Sequence, residues 1–374
     1  MAVADRVHRV HRFTGAPERL YEGFADRCLA RNEPAIFDRS LVDGWRAFEW
    51  VRPDGELDLD ALDREFGAAD VSVADCATAE HDRRTMPLSD VLAAWRTDRL
   101  SALYVKDFHA QLFARQPFYD TPAVFADDFM QAYALARTES DYRFVYVGER
   151  GTWTGLHSDV YGSFSWSTNV LGVKRWLLWP PEQTHLLRHR HRDELPPDPR
   201  EVDPVEFPSF ASSTPIELVQ QAGETVFVPS GWHHAVFNES RCLSINHNWA
   251  NAYCIVPIAR NLAAEYARTI AALEDVREMM DRHDPASATR DFADAVDRTV
   301  TAQAGWNWAQ LVAMLCYVLA PDPASPWPWP PPTLRPSDVF VRDQLGQAAA
   351  VIRARSAEEI RPVVTELAAL ELAL

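Results

Sequence analysis

The chain has 374 residues, 47% of them hydrophobic, and a formal charge of −17 at pH 7. At ~100–200 residues per domain this length allows two or three units, and the hydrophobic share is that of a globular protein rather than a disordered one. The acidic balance speaks against a nucleic-acid binder, which needs a basic surface to track phosphates, and leaves a basic protein or peptide open as a partner.

The five cysteines, Cys28, Cys76, Cys242, Cys254 and Cys316, are odd in number and form no C-x-x-C spacing. Free thiols in a reducing compartment are expected, not a disulfide framework or a zinc ribbon. The opening MAVADRVHRVHRF is charged and holds no apolar signal core. No run approaches the ~18 apolar residues of a membrane span. The chain therefore reads as cytoplasmic, with no membrane partner.

In chain order, residues 1–15 read as a polar lead-in. Residues 16–30 place Leu20, Phe24 and Cys28 four apart, the spacing of one helix face, and Asn32 and Pro34 end the pattern. A short strand is expected over 34–37, an amphipathic helix over 57–66 and a strand over 70–76. A further helix is expected over 87–95, opened by Pro87 and Ser89. Trp45 and Trp50 are expected to pack. Strand character returns in LYVKDF at 103–108, a loop and a weak helix follow over 117–135, and YRFVYVG at 142–148 is strongly β-prone.

From there to Trp249, short strands alternate with Gly, Pro and Asp, the mark of an antiparallel barrel or sandwich rather than of βαβ units. One insertion, residues 185–208, carries RHRHR at 188–192. It reads as a solvated loop end, with a substrate-contacting loop as the alternative. Beyond Ile255 the pattern turns helical, over 260–282, 286–301 and 306–319. Residues 321–336 (PDPASPWPWPPPTLRP) form a Pro-rich connector that is neither helix nor central strand. Trp327 and Trp329 are expected to pack back from it, and two more helices to follow over 338–374. These C-terminal helices offer either a homodimer interface or cover for a barrel.

The chemistry concentrates in GTWTGLHSDVYGSFSWSTNVLGVKRWLLW, residues 151–179. On a strand, residues i and i+2 share a face, so His157 and Asp159 can reach one point. VPSGWHHAVFN, residues 228–238, supplies a second histidine. Spacing alone leaves His233 and His234 both open, because neighbours on a strand face opposite sides. Two imidazoles and one carboxylate occupy one face of an octahedral metal and leave positions for a cosubstrate and dioxygen, as in non-haem Fe(II) oxygenases. Alone, an H-x-D triplet recurs by chance, and Lys174 with Arg175 fits an exposed strand pair. Trp153, Trp166, Trp176, Trp179, Trp232 and Trp249 surround these motifs and are expected mainly to fill core.

Taken in order, the H-x-D segment, G-x-K-R-W at 172–176, AGETVFVPSGWHHAV at 222–236 and SINHNW at 244–249 resemble the JmjC-domain 2-oxoglutarate oxygenases of the cupin superfamily. The likeness covers roughly residues 32–252 and is closer to a lysyl-hydroxylase branch of the family, through LYVKDFH, GTWTGLHSDV, KRWLLWPPEQ and VPSGWHHAVFNES. It implies a mainly β fold with α: a double-stranded β-helix (jelly-roll, cupin) with flanking helices and a helical C-terminal region. The implied division is N-terminal α/β elements over 1–100, a catalytic core over 101–255 and the helical region over 256–374.

The resemblance also implies Fe(II), 2-oxoglutarate and O2. His157, Asp159 and His234 would be the metal ligands and catalytic centre, His234 being the histidine five residues after Pro229. Lys174, in the family's G-x-K position, would hold the distal carboxylate of 2-oxoglutarate with a compact ammonium charge; Arg175 is the fallback. Thr154 and Tyr104 match hydroxyls that bind the same carboxylate, and Asn246 matches a polar cosubstrate contact. Some family hydroxylases carry asparagine where Ser167 stands, which leaves that part of the site open between Ser167 and Asn169. Asn248 is a weaker candidate. Asp159, where the family's demethylases usually carry glutamate, points to hydroxylation, and the resemblance makes the target a side chain in a protein or peptide, lysine first, with succinate and CO2 as co-products. The same chemistry on a small molecule, and a metal-binding cupin without turnover, are the alternatives.

Overall fold

A computed structural model describes residues 8–78, 82–97, 101–137, 141–284, 287–321, 327 and 329–374. Among the described residues thirteen strands form two sheets. β1 (His11–Phe13), β2 (Ala35–Phe37), β3 (Asp70–Asp75), β4 (Arg83–Pro87), β5 (Leu103–Phe108) and β6 (Arg143–Gly148) come before the H-x-D motif. β7 (Trp153–Ser158), β8 (Phe164–Leu171), β9 (Lys174–Trp179), β10 (Ile216–Gln220), β11 (Thr225–Val228), β12 (His233–Asn238) and β13 (Cys242–Trp249) carry and follow it.

The larger sheet runs β1-β2-β11-β8-β13-β6-β5-β3-β4 and the smaller β10-β9-β12-β7. The last eight strands are thus shared between two four-stranded layers, β6, β8, β11 and β13 in one and β7, β9, β10 and β12 in the other. That is the double-stranded β-helix, a jelly roll closed by pairing strands distant in sequence. Residues at i and i+2 fill its interior: Trp176 and Leu178 from β9 and Val226 and Val228 from β11 pack in one cluster with Ile36, Leu218, Trp232 and Val236. All six tryptophans around the motifs are buried. The turn from β8 to β9 needs Gly172, at φ +89°, because a Cβ there would lie 2.1 Å from the Arg241 carbonyl oxygen and 2.7 Å from Cys242 Sγ.

Two compact units result. One comprises residues up to Ala126, Asp141–Asp159 and Phe164–Asn248, and holds the sheets. The other comprises residues from Asp127, Val160–Ser163 and Trp249–Leu374. Its helices include Ile255–Ala272, Glu274–His283, Ala288–Ala304, Trp308–Leu319, Asp338–Arg353 and Val364–Ala373. Ala288–Ala304 stops at Gly305, in the left-handed region at φ +75°, and Asn307 opens the next helix in a capping box with Gln310. Tyr266 stacks on Trp308 with ring centroids 5.1 Å apart. No helix among the described residues is long and apolar enough to cross a membrane.

Several local expectations need correction. Residues 11–13 of the polar lead-in form β1, paired in parallel with β2; residues 1–7 lie outside the described residues. β4 went unread because RRTMP lacks apolar alternation; it is a mostly exposed edge strand ending in proline, charged as edges must be. The helix expected over 260–282 is two helices that break at Leu273. The RHRHR segment is not simply solvated: His189 is buried, and its ring bonds the Glu206 carboxylate. In the Pro-rich connector, 322–326 and 328 lie outside the described residues, Trp327 is buried, and Trp329 meets Phe129 edge-on at 6.2 Å.

Candidate metal centre and cosubstrate pocket

β7 and β12 are antiparallel neighbours, with His157 directly opposite His234. Their ring centroids lie 4.2 Å apart. β7 ends at Ser158, so Asp159 stands one residue past the strand rather than on it, still two residues from His157. One ligand atom from each of His157, Asp159 and His234 lies within 4.8 Å of the others.

Backbone carbonyls select the histidine tautomers, because a carbonyl only accepts. His157 Nδ1 donates to the Gly155 carbonyl at 2.9 Å, and His234 Nδ1 to the Trp232 carbonyl at 3.3 Å. Each Nε2 keeps its lone pair for a metal. Burial, reinforced by the neighbouring His234, pushes the His157 pKa down to about 4, and burial lowers that of His234 as well. Both imidazoles are therefore neutral at pH 7, the form that ligates. Ser165 Oγ donates to Asp159 Oδ2 at 2.7 Å and Asn248 Nδ2 to Oδ1 at 2.9 Å, which orients the carboxylate. Two neutral imidazoles and an oriented carboxylate fit a divalent iron. His233 is turned away, with its Nδ1 3.3 Å from Thr184 Oγ1.

Four residues along β12 from His234, about 13 Å at ~3.3 Å per residue, Asn238 pairs with Lys174. Lys174 is 2% exposed. Its ammonium has no hydrogen-bond or ion-pair partner among the described residues, and burial pushes its pKa down to about 8. Arg175 faces the other way and bonds Glu239 at 2.9 Å, so of these two neighbours it is Lys174 that faces the interior. The Tyr104 phenol reaches both Thr154 and Asn238. Tyr104 lies over Gly148, which it opposes in register; a Cβ at Gly148 would sit 2.6 Å from the ring. Tyr104, Thr154, Asn238 and Lys174 thus form one polar group away from the triad.

Asn246 accepts from Ser167 Oγ at 3.0 Å, so these two candidates bind each other. Asn169 donates to the Gly172 carbonyl at 2.6 Å and serves the β8–β9 turn. Of the two asparagines in SINHN, Asn248 touches the triad. Its parity with Asn246 on β13 was the available signal. Asn238 and Ser165 carried no signal beyond their place near a motif. Trp176 stacks against the ring of the ligand candidate His234, with centroids 5.8 Å apart.

A double-stranded β-helix with two histidines and an aspartate at one end and a buried lysine at the other is the architecture of the JmjC-type cupin oxygenases. The chain matches the Cupin-like domain family over residues 22–254 and belongs to that family. It is 37% identical over 325 residues to the arginine-specific demethylase JMJ20 of Arabidopsis thaliana, covering 80% of this chain and 68% of that protein. It is 37% identical over 294 residues to the 2-oxoglutarate and iron-dependent oxygenase JMJD4 of Gallus gallus, covering 74% of this chain and 67% of that protein. With JMJD4 of Homo sapiens the identity is 38% over 277 residues, 70% of this chain and 66% of that protein.

Proposed function

We propose that this 2-oxoglutarate- and iron-dependent dioxygenase hydroxylates a side chain of a protein or peptide, with lysine the favoured residue. The observation that supports the reading best is the shared interior of the triad and Lys174. A keto diacid chelated to a metal needs ligands at one end and a cation at the other, and this barrel offers both. His157, Asp159 and His234 would hold the iron, Ser165 and Asn248 keep Asp159 in place, and Lys174 with Tyr104 and Thr154 takes the distal carboxylate. Asn246 offers its amide to the cosubstrate. When bound, iron with O2 and 2-oxoglutarate supplies the oxidant, one oxygen atom going to a substrate C–H bond and the other to succinate as CO2 leaves. Trp176 against His234 and the aromatic interior keep water from the reacting centre.

Lysine comes from the resemblance to a lysyl-hydroxylase branch, and hydroxylation rather than demethylation from aspartate in place of glutamate at residue 159. The cytoplasm suits the free thiols at Cys28, Cys76, Cys242, Cys254 and Cys316. Two measurements test the reading. Anaerobic addition of Fe(II) and 2-oxoglutarate should raise the visible charge-transfer band of the chelate, and Asp159→Ala should lose it. Comparison of the proteome with and without the enzyme should show a lysine that gains an oxygen. A changed metabolite with no changed peptide would move the substrate to a small molecule. A lost methyl group would mean demethylation, and a site that binds iron but shows no band would sink the oxygenase reading.

A further inference from the structure

Only two of the chain's 37 basic residues are lysines, Lys106 and Lys174; all the others are arginine. Both lysines are buried, 7% and 2% exposed. Arginine's planar fork and lysine's compact, flexible ammonium are not interchangeable. A chain that meets every other need for a cation with arginine has lysine only inside this barrel. Lys174 has a role in the proposed site. Lys106 has none yet.

Lys106 lies on β5, two residues after Tyr104, and so shares its face. The path of β5 places it. Asp75 pairs with Leu103, and the next residue, Cys76, brings its Sγ 3.7 Å from the Trp153 carbonyl. Tyr104 then reaches Thr154. The strand thus advances alongside β7, from Trp153 past Thr154, and Lys106 comes level with the approach to His157. Its charge acts on both His157 and Lys174. Among the described residues Lys106 forms no hydrogen bond or ion pair; the Tyr104 ring, 5.7 Å away, is its aromatic neighbour.

The backbone beside Lys106 is distorted. The register of β5 against β6 shifts between Val105 and Phe108, and Asp107 sits in the left-handed region at φ +56°. Tyr146 donates to Asp107 Oδ1 at 2.5 Å and Arg83 to Oδ2 at 2.7 Å, which hold that conformation in place. Bulges of this kind beside a site re-aim a side chain. Here the bulge commits both Asp107 oxygens to Tyr146 and Arg83; the Asp107 charge reaches Lys106, but among the described residues no carboxylate lies within ion-pair distance of its buried ammonium.

We propose that Lys106 is a second carboxylate anchor, at the metal end of the pocket, so that Lys106 and Lys174 together make the interior a two-lysine receptor for a dicarboxylate. Lys174 takes the distal carboxylate and Lys106 the one beside the metal, and two ammonium groups balance the two charges of 2-oxoglutarate. Ser167, where some family hydroxylases carry asparagine, already donates to Asn246. The inference rests on the 2-oxoglutarate reading of the site and adds a residue to it.

The two-lysine composition makes the test direct. Full-length protein labelled with 13C at lysine Cε should give two lysine signals, assigned with Lys106→Arg and Lys174→Arg. The probes are Zn(II), a diamagnetic stand-in for iron, followed by 2-oxoglutarate or by 2-oxovalerate, a keto acid without the distal carboxylate. The expected result is that 2-oxoglutarate shifts both signals and 2-oxovalerate shifts Lys106 alone. In calorimetric titration Lys106→Met should weaken both keto acids about 10- to 100-fold, the worth of a charge-assisted hydrogen bond. Zinc affinity should not fall, since a nearby positive charge has been removed, and Lys106→Arg should restore part of the loss. Lys174→Met should weaken 2-oxoglutarate and leave 2-oxovalerate unchanged. A Lys106 signal unmoved by either keto acid overturns the proposal. So does a Lys106→Met that weakens 2-oxoglutarate only, which would make Lys106 a prop for Tyr104. If neither lysine responds to 2-oxoglutarate, the cosubstrate reading itself fails.

Discussion

Lys174→Met should stabilise the ligand-free protein while crippling its hold on 2-oxoglutarate. In the absence of ligand the Lys174 ammonium is buried with no partner among the described residues, and its pKa falls from 10.5 to about 8. That drop of roughly 2.5 units, at ~1.36 kcal/mol per unit, sets a ceiling of about 3 kcal/mol on the cost of keeping it charged. A folded pKa below the unfolded value means that the unfolded chain holds the proton longer. The cost is therefore full below about pH 8, shrinks as the pH rises, and is gone above about pH 10.5. Methionine has a similar volume and no charge, so the variant should gain up to about 3 kcal/mol at pH 7 and progressively less at higher pH. Binding should go the other way. The distal carboxylate would be buried opposite a thioether, and leaving one member of a buried ion pair alone costs ~3–5 kcal/mol, or roughly 10²- to 10⁴-fold in affinity. Urea unfolding of the ligand-free protein at two pH values, with calorimetric titration of 2-oxoglutarate into the zinc form, measures both. A variant that is less stable yet binds 2-oxoglutarate as the parent does would refute the reasoning.

Other outcomes follow from the same geometry. Ser165→Ala and Asn248→Ala each remove a donor to Asp159 and should weaken metal binding ~10- to 100-fold. Titrated alongside them, His233→Ala should leave metal affinity unchanged and His234→Ala should abolish it. Gly172→Ala would force a Cβ to within 2.1 Å of the Arg241 carbonyl at a positive φ; it should cost at least the ~1–3 kcal/mol of backbone strain, read in urea unfolding. Burial raises Asp127 to about 7 and Asp128 to about 8. Carboxyls that stay protonated in the folded state favour folding below the unfolded value near 4 and lose that contribution as the pH climbs through 7 to 8. Thermal stability should therefore drop between about pH 4 and pH 8. Asp128→Asn, which keeps an acceptor for the Gln131 amide, should flatten the drop.

Much of this architecture is legible without coordinates because it is local. YRFVYVG declares a strand through β-branched and aromatic residues, and Leu20, Phe24 and Cys28 declare a helix by their spacing. The edge strand Arg83–Pro87 stayed hidden because an edge must be charged, and charge erases the alternation that marks strands. Lys106 stayed hidden for a related reason. In LYVKDF a lysine beside an aspartate looks like a solvated pair. The bulge that sends Asp107 to Arg83 and Tyr146 and turns Lys106 inward appears only when β5 is laid against β6.

The division at the site has the same origin. Residue types and spacing alone establish that His157 and Asp159 can meet, that a second histidine follows in VPSGWHH, and that the segments recur in the order of one family. They leave His233 and His234 equivalent, Ser167 and Asn169 undecided, and Asp159 without partners. Tertiary pairing settles these points. β12 lies between β7 and β9, so one face of it turns His234 toward His157 and the other turns His233 toward Thr184. Asn248, 89 residues from Asp159 in sequence, arrives because β13 closes the larger layer between β8 and β6. Strand pairing is set by which apolar faces can be buried together, often between segments tens of residues apart. A period of two along one strand says which side chains share a face, but not what that face will meet.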